Sequence, residues 1–298
     1  MTIGLSLPLG YLGGAAETAN GKYLSEAFGT PCDCLAELKD HGVGSIELKR
    51  FGPGSSAESV LSVAQKVLGS GMRLSLHGYL TGDAAGPLSE EVYPELVPTL
   101  GYLGDQQGET MMVVHALVDP DASCGAMTES TVRALTRLAE SIARRSVPVR
   151  VSLEINRHHG IDAPGTTYES LLDIAQRLGS TEIGFCWDMG HTRSSVLQDR
   201  LPAVPPADFA RKVIHTHVHG LSREGDTHWP LTESSSHVAS GVSQLRRFGY
   251  GGTYNLELYP MRWGSEHAVR EGILGSVYCL RKILDGPQED TYADGDPG

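Results

Sequence analysis

Short runs dominated by apolar and β-branched residues recur along nearly the whole chain. Longer stretches with apolar residues at three- and four-residue spacing separate them. The short runs predict strands at 3–9, 45–51, 73–79, 111–117, 149–155, 183–189, 213–219 and 253–259. The spaced stretches, among them AESVLSVAQKVLGSG, TESTVRALTRLAESIARR and TYESLLDIAQRLGS, predict amphipathic helices, often closed by glycine. SEHAVREGILGSVYCLRKIL is the last helix, and its Leu/Ile/Val stripe reads as core. Strands that are each followed by a crossover segment imply an α/β chain folded as a single (β/α)8 TIM barrel. An open doubly wound sheet would usually carry a G-x-G-x-x-G turn after its first strand, and LPLGYLGG lacks that spacing. The barrel is expected to span residues 1–285, with 286–298 an acidic, Gly/Pro-rich and disordered tail.

Chemistry in such a barrel gathers at the C-terminal ends of the strands. Here they end in His77, His115, Glu154, Asp188, His217 and Glu257, from strand three to strand eight. Taken singly, each has an ordinary explanation: a rim histidine satisfied by its neighbours, or a glutamate paired with Lys or Arg. Together they point to a metal, because carboxylates that face one another repel unless cations sit between them. Two glutamates, an aspartate and a histidine form a mixed oxygen and nitrogen shell suited to Mn, Mg, Co, Fe or Zn. The stretch HTHVHGLSREGDTHWP, residues 215–230, adds more candidates. Alternation puts His215, His217 and His219 on one face, with His217 the expected ligand and His215 deeper in the interior. His219, Arg223, Asp226 and His228 are assigned to the loop above. Trp187 and Trp229 are candidates for an apolar wall against a substrate, with packing as the alternative.

Composition narrows the classes. A chain of 298 residues with 40% hydrophobic content is expected to be a soluble globular protein. No apolar run approaches the ~18 residues of a spanning helix, and MTIGLSLPLG has no basic leader, so no signal peptide is expected. Five cysteines without paired metal-type spacing imply free thiols and a reducing cytoplasm. The net charge of −12 weighs against nucleic acid as a partner. Two or three bound divalent ions would offset ~4–6 of those charges, so the argument weakens that partner without eliminating it. Neither a G-x-S-x-G elbow nor a Walker loop is present.

The order of SLEIN (Glu154), CWDMGH (Asp188, His191), HTHVHG (His217) and NLELYP (Glu257) resembles the xylose-isomerase-like superfamily of TIM barrels. The superfamily holds sugar and sugar-phosphate isomerases and epimerases as well as apurinic endonucleases of the endonuclease-four type. The resemblance implies that Glu154, Asp188, His217 and Glu257 ligate one divalent ion. It also implies that His191 and Arg223 bind substrate, and GDTHWPL is similar to a D-x-H-x-P loop of putative sugar-phosphate isomerases. The endonuclease-four type holds three metals, and its further ligand positions match His77, His115, His191, Asp226 and His228. Both branches are departed from. The ketose 3-epimerases have a second glutamate where this chain has Gly160, and the LEN-x-A-G pattern and basic DNA surface of the endonucleases are missing.

These readings lead to an expected metal-dependent isomerase or epimerase of a small sugar, sugar phosphate or polyol keto-derivative, with one to three ions per chain. Glu154 and Glu257 are the expected proton-transfer pair. The alternatives are a multinuclear phosphoesterase, a dehydratase using the same enolate chemistry, and a non-catalytic sensing barrel. A membrane partner is not expected, and a homo-oligomer stays open.

Overall fold

A computed structural model of the protein describes residues 1–14, 19–49, 56–80, 97–158, 160–179, 183–263 and 266–286. Of the tail expected at 286–298, only Gly286 falls within these residues; 287–298 lie outside them. The strands are β1 (Thr2–Pro8), β2 (Ser45–Lys49), β3 (Arg73–His77), β4 (Thr110–Val114), β5 (Val149–Glu154), β6 (Ile183–Asp188), β7 (Val213–Val218) and β8 (Thr253–Leu256). All neighbours pair in parallel and β1 also pairs with β8, closing the barrel in sequence order. This is the (β/α)8 barrel that the pattern predicts. The predicted strands overrun mainly at their C-terminal ends, where residues such as His115 and Glu257 leave the ladder and become the rim.

A short helix α1 (Leu9–Leu12), then α2 (Ala19–Phe28) and α3 (Pro31–Asp40), follow β1. α4 (Ala57–Gly69), α5 (Val97–Gln107), α6 (Cys124–Arg145) and α7 (Tyr168–Leu178) follow β2 to β5 in turn. α8 (Met189–Leu197) and α9 (Ala207–Ala210) follow β6, α10 (Ser236–Arg247) follows β7, and α11 (Glu266–Asp285) follows β8. Local chemistry sets their limits. α4 begins at Ser56, whose hydroxyl accepts from the Ser59 amide, and it buries Val60, Val63, Ala64 and Val67 at helical spacing. α3 starts with a capping box between Thr30 and Asp33 and has proline in its first turn. Among the described residues, no helix is long and apolar enough to cross a membrane. All five cysteines are unpaired.

Alternation along the strands sorts the side chains into two environments. Leu5, Ile46, Leu48, Leu74, Leu76, Val151, Leu153, Phe185, Trp187, Tyr254 and Leu256 join the core cluster between barrel and helices. The opposite phase fills the barrel interior. Barrel interiors are usually packed by bulky aliphatic residues, whereas this one is largely polar: Ser6, Glu47, Ser75, Ser152, His215 and Asn255 are all buried. Glu47 on β2 touches His215 on β7 at 3.0 Å, a contact only possible across the interior because those strands are not neighbours.

The phase corrects one expectation. Trp187 does not wall a substrate site; it points outward, 2% exposed, and its ring meets Phe209 of α9 edge-on at 6.3 Å. Its indole N–H donates to Thr192 Oγ1 at 3.0 Å. Two residues of spacing from Phe185 put it on the same outward face. Trp187→Ala is therefore expected to cost about 3–5 kcal/mol of stability and to leave the affinity for divalent metal unchanged. Urea denaturation beside a metal titration checks this, and a metal affinity that fell with the stability would return Trp187 to the site.

Candidate active site

The rim collects most of the residues singled out above. Asp188 ends β6 and caps α8, its Oδ1 accepting from the His191 amide at 2.6 Å. That cap fixes the carboxylate and also brings His191, on the first turn of the helix, to 3.3 Å from Asp188 Oδ2. His217 ends β7 with its Nδ1 3.0 Å from Glu257 Oε2, 3.2 Å from Glu154 Oε2 and 3.9 Å from Asp188 Oδ2. Glu154, Asp188, His217 and Glu257 are all buried, and one donor atom from each lies within 4.8 Å of all the others. β5 and β8 are not adjacent, so their two glutamates meet across the mouth of the barrel.

Whether this set fits a divalent ion can be judged from its unsatisfied atoms. Buried polar groups in folded proteins are almost always hydrogen-bonded. Here Glu154 Oε1, Asp188 Oδ2, His217 Nδ1 and Glu257 Oε2 are each buried without a hydrogen-bond partner. An orphan on every member of one four-residue set, with hard oxygen and borderline nitrogen donors, fits a divalent cation. Glu257 also forms an ion pair with Lys49 through its other oxygen, Oε1, which leaves Oε2 facing the set.

Around this centre lie two further groups that share its carboxylates. His77 and His115 join Glu154, with His115 Nε2 2.9 Å and His77 Nε2 3.7 Å from Glu154 Oε2. Asn156 donates to the other His115 nitrogen at 3.2 Å. On the opposite side, His191, His219 and His228 join Asp188, with His219 Nε2 3.1 Å from Asp188 Oδ1. A Cβ on Gly190 would overlap the His219 ring, so glycine in CWDMGH is what lets this histidine reach Asp188. His228 has φ of 66°, an uncommon conformation for a side-chain-bearing residue, and its amide N–H donates to His219 Nδ1 at 2.9 Å.

The loop after β7 departs from expectation. Arg223 and Asp226 are both exposed, and Asp226 belongs to none of the donor groups. Ser222 and Asp226 close a tight turn on each other, the Ser222 amide donating to the Asp226 carbonyl at 2.8 Å and Ser222 Oγ accepting from the Asp226 amide at 3.0 Å. Of the expected D-x-H pair only His228 arrives, and His219 takes the place expected for Asp226. Trp229 is half-buried at the base of the loop, with its backbone bridged to Gly220. Its indole Nε1 is buried without a hydrogen-bond partner among the described residues.

Sequence reasoning missed Glu47. It lies in the middle of β2, fully buried, with Oε2 3.0 Å from both His215 Nε2 and His217 Nε2. The signal was SIELK: a glutamate in the phase opposite Ile46 and Leu48, in a strand covered on both faces. Lys49 was likewise visible only as part of a basic pair.

The electrostatics are those of a crowded, dehydrated cluster. Burial works to raise the Glu47 and Glu154 carboxyls, and the imidazoles around each outweigh it, holding both well below the usual carboxylate range. Burial likewise opposes ionisation of Asp188, yet His191 and His219 bring it down to about 2. Burial pushes His77 down from 6.5 to about 4. His217 is driven the other way against its own burial, well above 6.5, by Cys186, Glu47 and Glu154.

These shifts set the acid stability of the metal-free protein. A histidine with a lowered folded pKa contributes stability present above its unfolded value, lost as pH falls. For His77 the window runs from 6.5 down to about 4. For Asp188 the loss runs from 3.8 down to about 2. His217 has the opposite sign: its contribution is complete below 6.5 and fades as pH rises. Urea midpoints for metal-free protein are expected to drop steadily from pH 6.5 to pH 4.5, and a flat profile over that range would contradict the assignment of a neutral His77.

The chain belongs to the xylose isomerase-like TIM barrel family, which matches residues 35–282. Solved structures of similar fold include a D-tagatose 3-epimerase-like protein at 17% identity, covering 96% of this chain and 97% of that one with a TM-score of 0.61. An L-ribulose 3-epimerase matches at 16% identity over 97% and 100% of the two chains, also with a TM-score of 0.61. A xylose isomerase domain protein from Alicyclobacillus acidocaldarius matches at 15% identity over 95% and 98%, again at 0.61. At these identities the likeness is one of fold. An uncharacterized protein of Methanocaldococcus jannaschii, MJ1311, is 26% identical over 160 residues, which span 49% of this chain and 50% of that protein.

Proposed function

We propose that the protein is a divalent-metal-dependent enzyme that isomerises or epimerises a small sugar, sugar phosphate or polyol keto-derivative. The observation that carries this reading is the pair Glu154 and Glu257. They approach His217 Nδ1 at 3.2 and 3.0 Å from strands on different sides of the mouth, and each keeps one unpaired buried oxygen. The epimerases among proteins of the same fold support it. When bound, an ion held by Glu154, Asp188, His217 and Glu257 (Mn, Mg, Co, Fe or Zn) supplies a Lewis acid that steadies negative charge on a substrate carbonyl and its neighbouring hydroxyl.

The side chains do the rest. One glutamate takes the proton from the carbon beside the carbonyl; the other, having taken up a proton from solvent, gives it to the resulting enediol system, and the first then loses its proton to solvent. Glu154, whose carboxyl the surrounding imidazoles hold well below the usual range, suits the accepting role. Lys49 neutralises part of the Glu257 charge and holds that carboxylate in place. His191 and His228, which group with Asp188 beside the central set, are assigned to bind hydroxyls, and the Trp229 indole N–H is a further candidate. Incubating the metal-loaded protein with ketoses in heavy water tests the reading. Deuterium should enter at the carbon next to the carbonyl, and turnover without exchange would contradict a two-glutamate proton transfer. The five unpaired thiols favour a reducing, cytoplasmic setting.

A second reading is favoured by a specific observation: Glu154 and Asp188 are each shared between the central donor set and a flanking histidine group. Bridging carboxylates of this kind suit two or three ions acting on a phosphoester, with the acidic chain pointing to a small substrate rather than a nucleic acid. Metal stoichiometry separates the readings: about one ion per chain for the isomerase and about three for the hydrolase.

A further inference from the structure

Glu47 has no place in either reaction, yet it is the hub of the polar barrel interior. Besides accepting from His215 and His217 on Oε2, it accepts from Ser6 Oγ on Oε1 at 2.9 Å, and Ser6 in turn accepts from Asn255 Nδ2 at 2.8 Å. His77 Nδ1 stands 3.4 Å from the same Oε1. A carboxylate sealed from water is tolerated only when its oxygens are met by donors, and β1, β3 and β7 each bring a group to it.

An ionised carboxylate only accepts, so the His217 nitrogen that meets it must carry a proton. That nitrogen is Nε2, at 3.0 Å. In a neutral imidazole the lone pair is then left on Nδ1. Nδ1 is the atom that faces Glu154, Asp188 and Glu257, and it is buried without a hydrogen-bond partner. The ring thus spans two layers of the barrel, one nitrogen on the interior carboxylate and the other in the donor set.

We infer that Glu47 is a positioning residue that keeps the His217 proton on Nε2 and aims the Nδ1 lone pair into the donor set at the rim. The inference rests on the reading of His217 as a metal ligand given above. A ligating histidine that donates its other N–H to a carboxylate is fixed in orientation and becomes a stronger donor. His215 and Ser6 hold Glu47 from below and beside, so its rotamer cannot follow a swing of the His217 ring. The competing arrangement is also on hand. Glu47, His77 and His217 could themselves converge on an ion, and His217 would then have to surrender the Nε2 proton.

Nitrogen-15 NMR of histidine-labelled protein separates the two, with His217 assigned by the signal lost in His217→Asn. In wild-type protein, metal-free and zinc-loaded, Nε2 should carry a proton, and zinc should remove a proton or shift the signal only at Nδ1. A bare Nε2 in either state overturns the inference, whether or not any variant folds. Glu47→Gln, which keeps the shape but removes the charge, should weaken zinc binding by about 10–100-fold with the stoichiometry unchanged. Glu47→Asp should recover part of that loss. A Glu47→Gln protein that binds zinc as wild type does, with Nε2 still protonated, also overturns it. If wild-type protein takes up no divalent ion while Nε2 remains protonated, it is the ligand reading that fails, and the positioning role falls with it.

Discussion

Glu154→Gln is expected to lower turnover by about 10²–10⁴-fold while the chain stays folded. The substitution keeps the size of a fully buried side chain and removes its charge. Glu154 is the residue on which the account converges. It lies in the central donor set and in the His77 and His115 group, and His115 Nε2 and His217 Nδ1 lie 2.9 and 3.2 Å from its Oε2. An amide in its place can neither take a proton nor offset a cation. The check is kcat, measured on a ketose that shows deuterium exchange or on a phosphoester that is cleaved, with metal content assayed in the same sample. A variant with near-normal kcat would reduce Glu154 to a structural partner of His115.

The second large effect is at Asp188, which performs two separable tasks. Its side chain caps α8, and it belongs to both four-residue donor groups. Asparagine caps a helix about as well as aspartate, so Asp188→Asn should preserve the fold and remove only the charge. Metal affinity is then expected to fall by more than the ~100-fold that bounds the loss of an outer partner. Metal-free Asp188→Asn should be somewhat less stable than metal-free wild type at neutral pH, because the His191 and His219 imidazoles favour the ionised carboxylate in the folded state. The larger difference appears on adding metal. At a concentration ~100 times its dissociation constant, an ion stabilises the wild type by about 2.7 kcal/mol, a gain the variant should lack. Thermal melts with and without metal, on both proteins, report this directly. A variant stabilised by metal as strongly as wild type would take Asp188 out of the donor set.

Much of this site was legible before the fold was known. Alternation and helical spacing located every strand, and closure of the barrel follows from their number and order. The rim residues could be read because a barrel strand ends where the site begins, so His77, Glu154, Asp188 and His217 needed only the strand limits. Glu47 escaped because it lies mid-strand, where a charge is easily passed over; only the rule that a barrel strand is covered on both faces marks it as a residue in need of a partner. His219 was assigned to the loop although its alternation with His217 was noted, and the glycine at position 190 that admits its ring is informative only once α8 packs beside β7. Asp226 departs for a different reason. Spacing along a loop does not fix direction, and Asp226, exposed in the turn closed by Ser222, joins no donor group. The position of Trp187 was set by a strand phase that the sequence already contained, since Phe185 two residues earlier is a plain core residue.

The most direct measurement is a crystal structure of the metal-loaded protein with the ions located by anomalous scattering. It should place an ion bonded to Glu154, Asp188, His217 and Glu257 together. A single ion there favours the isomerase, and further ions on His77–His115–Glu154 and on Asp188–His191–His219–His228 favour the hydrolase. Fully loaded crystals with no ion shared by Glu154, Asp188, His217 and Glu257 would contradict the account.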